Sequence, residues 1–336
     1  MSPGSVEKGR WSVVSSESTE TKARFRELLR QGAPHQDIIA LLVRLRDTEG
    51  LSVDDAGWAL WNICDRYAML RDADPQFRYQ REFRALVETH VPERLHWVVS
   101  DSTQALTLVA GGYKDFWRDA YILANAHAPR VPETRNVRFE SHRATASVFT
   151  KSDLERAAVA LEACEAVLSE DPAWVNRDFA SVTSKTLLVG FHHARGDQAS
   201  LPQVVAALEN ELAEWRARVP GPDTLPPDNG PLFGSWAQLN ANRPGRDIDV
   251  ALHNAACALT HARRFPSAER VFGIVADGGH ALTSYGKALQ ILACWENRRD
   301  RDEVRRLCER AGLTPQQLER YAPERINGLA GTDTTK

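Results

Sequence analysis

Residues 251–279 read ALHNAACALTHARRFPSAERVFGIVADGG. Small side chains recur in this stretch at helical spacing, where an ordinary core would place leucine. Leu252, Ala255, Ala256 and Leu259 fall on one face of a first helix. A short HARRFP turn follows, and Phe265, Ala268, Phe272 and Val275 form the matching face of a second helix. Two helix backbones come close only where their crossing carries small residues, with an aromatic from each neighbour filling the wedge beside them. The stretch therefore predicts a tightly packed antiparallel helix pair.

The next segment repeats the arrangement. Ala288, Ile291, Leu292 and Trp295 make a first-helix face, and Val304, Cys308 and Ala311 a second; Ala268 and Val304 lie 36 positions apart. Upstream, LERAAVALEACEAVLSEDPAW (154–174) reads as a second helix closed by Pro172. This spacing resembles the tetratricopeptide repeat, a pair of antiparallel helices of about 34 residues. The resemblance runs from Ile248 to Gly312, is faint over Lys151 to Val219 and is absent before Pro129. It departs from the family pattern at Arg263, where a small residue is usual, and at GLTP (312–315), which closes the second copy.

The resemblance implies a concave face lined by the first helices, used to hold peptides or partner proteins. By position His253, Asn254, Cys257, Thr260 and His261 lie on or near that face in the first copy, and Glu296 and Asn297 in the second. Asn254 stands where these repeats often carry asparagine, whose amide can bond a peptide backbone in two directions. The plainer reading is that Asn254 and His253 brace neighbouring helices, in an ordinary bundle whose alanines happen to pack two helices together.

Working outward, most of the chain has a 3.6-residue period, and the expected fold is all-α: a helical bundle followed by a tetratricopeptide-like antiparallel helix-pair array. Residues 1–19 read as a flexible polar leader and 20–128 as an N-terminal bundle of about six helices. In that bundle Trp58, Trp61, Ile63 and Tyr67 mark a central helix, and Phe77, Phe83, Leu86 and Val87 the inner face of the next. Residues 129–150 hold Pro129 and Pro132. Val137 alternates there with Phe139, and Ala144 with Ala146 and Val148, which predicts a hairpin or an irregular connection. The array is expected over 151–320, opened by a capping box of Ser152 and Glu155, with a polar tail over 321–336. A long Pro/Gly-rich loop at 220–247 interrupts it and carries Leu232, Phe233 and Trp236, expected to dock back onto the helices; Trp236 is the loop's candidate contact residue.

A formal charge of -3 on 336 residues gives no reason to expect nucleic acid or anionic lipid as partner. Five widely spaced cysteines without a CxxC pair suit small thiols in a reducing cytoplasm. No apolar run of signal-peptide or membrane-span length occurs, so the expected location is cytoplasmic.

Catalytic signatures are missing: there is no GxxxxGK[ST] loop, no GxGxxG, no GxSxG and no HExxH. His192 and His193 are adjacent, about 100° apart on a helix, and make a poor chelating pair. The RDAD run at 71–74 lacks the second acidic motif that a magnesium-binding helical bundle needs, and reads as a solvated helix end. No cofactor or metal is expected. LVRLRDTEGLSVDDAGWAL (42–60) faintly resembles the start of a repressor-type helix-turn-helix, yet bulky apolar WNICDRYAML follows where base-reading polar residues belong. The favoured function is a non-catalytic adaptor or regulatory module that binds a protein or peptide through His253, Asn254, Thr260, His261, Asn297 and Trp236. The alternatives are an enzyme or small-molecule binder recruiting His127, His142 or His193 between bundle and repeats, and a transcription regulator using the N-terminal segment.

Overall fold

Four helix starts among the described residues are set by a capping side chain. Ser52 caps one helix by accepting from the Asp55 N–H at 3.1 Å, and Asp300 caps another by accepting from the N–H groups of Asp302 and Glu303, each at 3.0 Å. The computed structural model describes residues 16–218, 244–277 and 284–313. Every regular element among them is helical, so the fold is all-α as expected. In chain order the helices are α1 (Ser16–Arg30), α2 (His35–Arg46), α3 (Val53–Leu70), α4 (Ala73–His90), α5 (Ser102–Ala110), α6 (Lys114–His127) and α7 (Arg135–Phe149). They continue with α8 (Leu154–Ser169), α9 (Arg177–Arg195), α10 (Leu201–Arg218), α11 (Pro244–His261), α12 (Phe265–Asp277), α13 (Ser284–Arg298) and α14 (Arg301–Ala311). Short 3-10 turns occupy Pro92–Trp97 and Pro132–Thr134. No helix among the described residues is long and apolar enough to cross a membrane.

The described chain forms two compact units, 16–152 and 153–313. In the first, α1 to α4 pack in succession, and α5, α7 and the Pro92–Trp97 turn close the bundle. Phe25, Ile38, Leu42 and Ile63 are buried together, with Trp58 packed on them and edge-on to Phe25 at 5.2 Å. The inner stripe of α4 differs from the one its hydrophobicity suggests. Phe83 and Val87 are buried, but their companions one and two turns earlier are Gln80 and Gln76, while Phe77 sits on the flank and stacks on Tyr113 at 3.8 Å. The two amides earn their place by hydrogen bonding: Gln76 donates to the Gln104 carbonyl at 2.9 Å and Gln80 to the Val98 carbonyl at 2.5 Å. At Gly111 α5 ends against the start of α4 so closely that a methyl there would lie 2.2 Å from Ala73 Cβ.

The stretch 129–150 is neither hairpin nor irregular: a 3-10 turn leads into the 15-residue α7. Pro132 opens that turn, where a missing N–H costs nothing. Nor does Ser152 cap α8. Asp153 does so, its carboxylate accepting from the Arg156 N–H at 3.0 Å.

In the second unit the alanine seams pack as their spacing predicts. Ala256 and Ala268 are each 0% exposed, together with Leu252, Ala255 and Leu259, and Phe272 and Val275 close the seam between α11 and α12. Helices α9 and α10, α11 and α12, and α13 and α14 pack as consecutive pairs. In addition α11 packs on both α9 and α13, and α12 on α13. The first helices thus form a row, α9–α11–α13, with α10 and α12 beside it. Helix α13 is shared: Leu289, Leu292 and Ala293 join the α11–α12 core, while Ala288, Ile291 and Cys294 join Val304 and Leu307 of α14.

The turn after each first helix has a left-handed residue: Gly196 (φ 72°), Arg263 (φ 58°) and Arg299 (φ 56°). The first two are identical in bonding. The Gly196 and Asp197 N–H groups reach His193 and His192 carbonyls at 3.1 and 2.9 Å; those of Arg263 and Arg264 reach Thr260 and Leu259 at 3.1 and 2.8 Å. The same two bonds and a left-handed residue also close α1, α3, α5 and α14, so this turn is a general helix stop in the chain.

Candidate functional site

Helix α11 is two-faced. Leu252, Ala255, Ala256 and Leu259 are spent on the core, leaving Val250, Asn254 and His261 exposed and His253, Cys257 and Ala258 half-buried. Those positions recur at three to four residues and make one stripe. Asn254 has no hydrogen-bond partner among the described residues. His253 lies one turn before Cys257, Nε2 to Sγ 3.7 Å.

Burial holds the His253 imidazole below its ordinary range and pushes the Cys257 thiol up to about 12. Near neutrality this pair is an uncharged imidazole beside a protonated thiol. It can donate and accept hydrogen bonds and offer polarisable apolar surface, and it is no nucleophile.

The structure separates the remaining expected contact residues. Thr260 is buried, and its hydroxyl donates to the Ala256 carbonyl at 2.8 Å, so it faces its own helix and is withdrawn from any binding face. Asn297, at the end of α13, donates to Glu269 of α12 at 2.5 Å, and Arg298 joins the same carboxylate at 2.6 Å. Glu296 is held by Arg299 at 2.9 Å. Trp236 lies outside the described residues. Of the six, then, Asn254, His253 and His261 share one stripe of α11, Asn297 belongs to the α12–α13 junction, and Thr260 is interior.

The other histidines fall in separate places. His142, on α7 in the first unit, is buried with Nδ1 3.1 Å from the Tyr121 hydroxyl. His127 is exposed at the last turn of α6, and His193 is half-buried on α9. His192 pairs with Asp197 at 3.0 Å, a contact that follows from the turn after α9 rather than from a second histidine. The RDAD carboxylates Asp72 and Asp74 are exposed, as a solvated helix end requires, and Asp74 accepts from the Tyr113 hydroxyl at 2.7 Å. Helix α3, which would be the groove-reading helix of a DNA-binding segment, buries Ala56, Ala59, Leu60, Ile63, Cys64 and Ala68 in its own unit.

The first unit holds polar groups that hydropathy does not reveal. His96 is 1% exposed in the Pro92–Trp97 turn, and neither ring nitrogen has a hydrogen-bond partner among the described residues. Burial first, and then the positive charge of Arg138, push its pKa down to about 4, against a weak opposing pull from the Glu93 backbone. Asp101 caps α5 by accepting from the Gln104 N–H at 2.8 Å, yet burial still raises its carboxyl above the usual range. The only sequence signal for this interior is the spacing of Gln76, Gln80, Phe83 and Val87. An open depression of about 440 Å³ also lies in this unit, lined by Ala68, Arg71, Thr103, Leu106 and Thr107. Its single charged wall residue, Arg71, gives it no acid–base pair with which to do chemistry.

The chain matches no protein-family model and no curated protein.

Proposed function

We propose that this chain is a non-catalytic adaptor or regulatory module that holds a protein or peptide on the first-helix row of its second unit. On this reading α9 to α14 are a tetratricopeptide-like array. Two features support it: the alanine seams at Ala256 and Ala268, and the packing of first helix on first helix. The observation that carries the binding role is the α11 stripe. Asn254 and His261 are exposed there, and the Asn254 amide, without a hydrogen-bond partner among the described residues, suits an extended backbone that both donates and accepts. His253 and Cys257 beside it are suited to contact and not to turnover.

Affinity capture from the native cell tests the reading, comparing wild type with an Asn254→Ala, His261→Ala double variant by mass spectrometry. Both residues are exposed, so the variant keeps its fold. Loss of at least one partner is expected. Equal recovery of every partner counts against the stripe as the binding surface.

A further inference from the structure

We infer that His253 and Cys257 together bind a zinc-class divalent ion, whether or not a polypeptide is held on the first-helix row. The pair joins an imidazole nitrogen to a thiol sulfur, the donor types that borderline-soft ions take. Four residues apart, they stand one above the other on α11, the spacing that adjacent His192 and His193 lack. The structure brings His253 Nε2 to 3.7 Å from Cys257 Sγ. Zn–N bonds of about 2.0–2.1 Å and a Zn–S bond of about 2.3 Å set the two donors about 3.6 Å apart at a tetrahedral angle and about 3.8 Å apart at a trigonal one. Both atoms therefore reach one ion with the helix left as it is. The same contact gains little as a hydrogen bond, because a thiol is a weak donor.

The electrostatics assign each donor its part. Burial keeps the His253 imidazole neutral near pH 7, which is the form that coordinates. Burial also holds the proton on Cys257, since nothing there compensates a bare thiolate. A divalent ion supplies that compensation: the S–H bond breaks, the Zn–S bond forms with the sulfur's electron pair, and one proton passes to solvent. Both side chains are half-buried beside exposed Asn254 and His261, so an ion enters directly from water. Among the described residues no group of three or more His, Cys, Asp and Glu is placed to hold a metal. The site is therefore bidentate and open, with its other coordination positions left to water, unlike a closed structural zinc site.

Calorimetric titration of the full, reduced chain with zinc chloride, run in two buffers of different ionisation enthalpy, is the test. Expected are a single site, release of one proton per ion, and no binding of magnesium. His253→Ala and Cys257→Ser should each weaken zinc binding at least roughly tenfold, as loss of a ligand costs no less than loss of its supporting contacts. Cys257→His keeps two donors four residues apart and should regain binding, now without proton release. That recovery separates lost coordination from misfolding. The other four cysteines are present in every variant, so zinc binding that survives Cys257→Ser overturns the inference. Absence of binding to the wild type, or failure of Cys257→His to regain it, overturns it as well.

Discussion

Arg263 occupies the left-handed position after α11 that Gly196 occupies after α9, with the same two backbone hydrogen bonds closing the turn. An L side chain at that φ costs about 1–2 kcal/mol, which glycine avoids.

Replacing Arg263 by glycine is therefore expected to stabilise the second unit, by about 1 kcal/mol once the greater freedom of glycine in the unfolded chain is deducted. Arg263 is exposed, so little packing is lost. Urea unfolding followed by circular dichroism measures the change. A lower midpoint for Arg263→Gly would show that the arginine makes a contact worth more than the strain.

The seams give a second expectation. Ala256→Leu and Ala268→Leu each force extra methyl groups into a crossing with no exposed surface, and should destabilise by about 1–3 kcal/mol. Ala258→Leu, on the half-buried side of the same helix, should change stability by less. Equal effects at 256 and 258 would contradict the close approach of α11 to its neighbours.

Capping separates two adjacent residues. Asp153→Ala should cost about 1 kcal/mol, since it orphans the Arg156 N–H, whereas Ser152→Ala should be near neutral. Thermal denaturation of the two variants decides which residue starts α8, and a larger loss for Ser152→Ala would refute the assignment.

His96 sets a pH dependence. Its folded pKa of about 4 lies below the ordinary 6.5, so between those values the unfolded chain binds more protons than the folded one. Stability is then fully present above pH 6.5 and declines as pH falls to about 4, by roughly 3 kcal/mol for a shift of this size. Arg138 and His142 from α7, and Arg94 from the same turn, oppose the imidazolium. His253 acts in the same sense, its pKa being lowered too, but it is only half-buried. The His96→Leu variant should flatten the stability profile across this window, measured by urea titration at stepped pH. An unchanged slope in that variant would assign the effect elsewhere.

The C-terminal helix pairs were legible because their apolar residues fall on one stripe: Leu252, Ala255, Ala256 and Leu259 repeat every three to four positions and are all buried. Helix α7 was not legible for the converse reason. It buries Val137 and Phe139, Ala144 and Ala146, and also Arg138, Ser141, His142 and Thr145, so it is enclosed on nearly every side. A helix surrounded in this way loses the periodic contrast between faces, and what remains of Val137–Phe139 and Ala144–Ala146–Val148 looks like strand alternation. Gln76 and Gln80 were hidden because amides read as surface residues, although here they donate to the backbone carbonyls of Gln104 and Val98. At the candidate site, position alone placed Asn254 and His261 on an open face, but it could not tell that the Thr260 hydroxyl would bend back to Ala256.

The turn residues Arg263 and Arg299 are 36 positions apart, and the helices between them meet only near neighbours in the succession. Copying or deleting one such cassette in a gene would splice matching surfaces together without tearing any distant seam. On the proposed binding reading, reach along a partner would change in whole steps over evolutionary time, with the register of what is gripped preserved at each step.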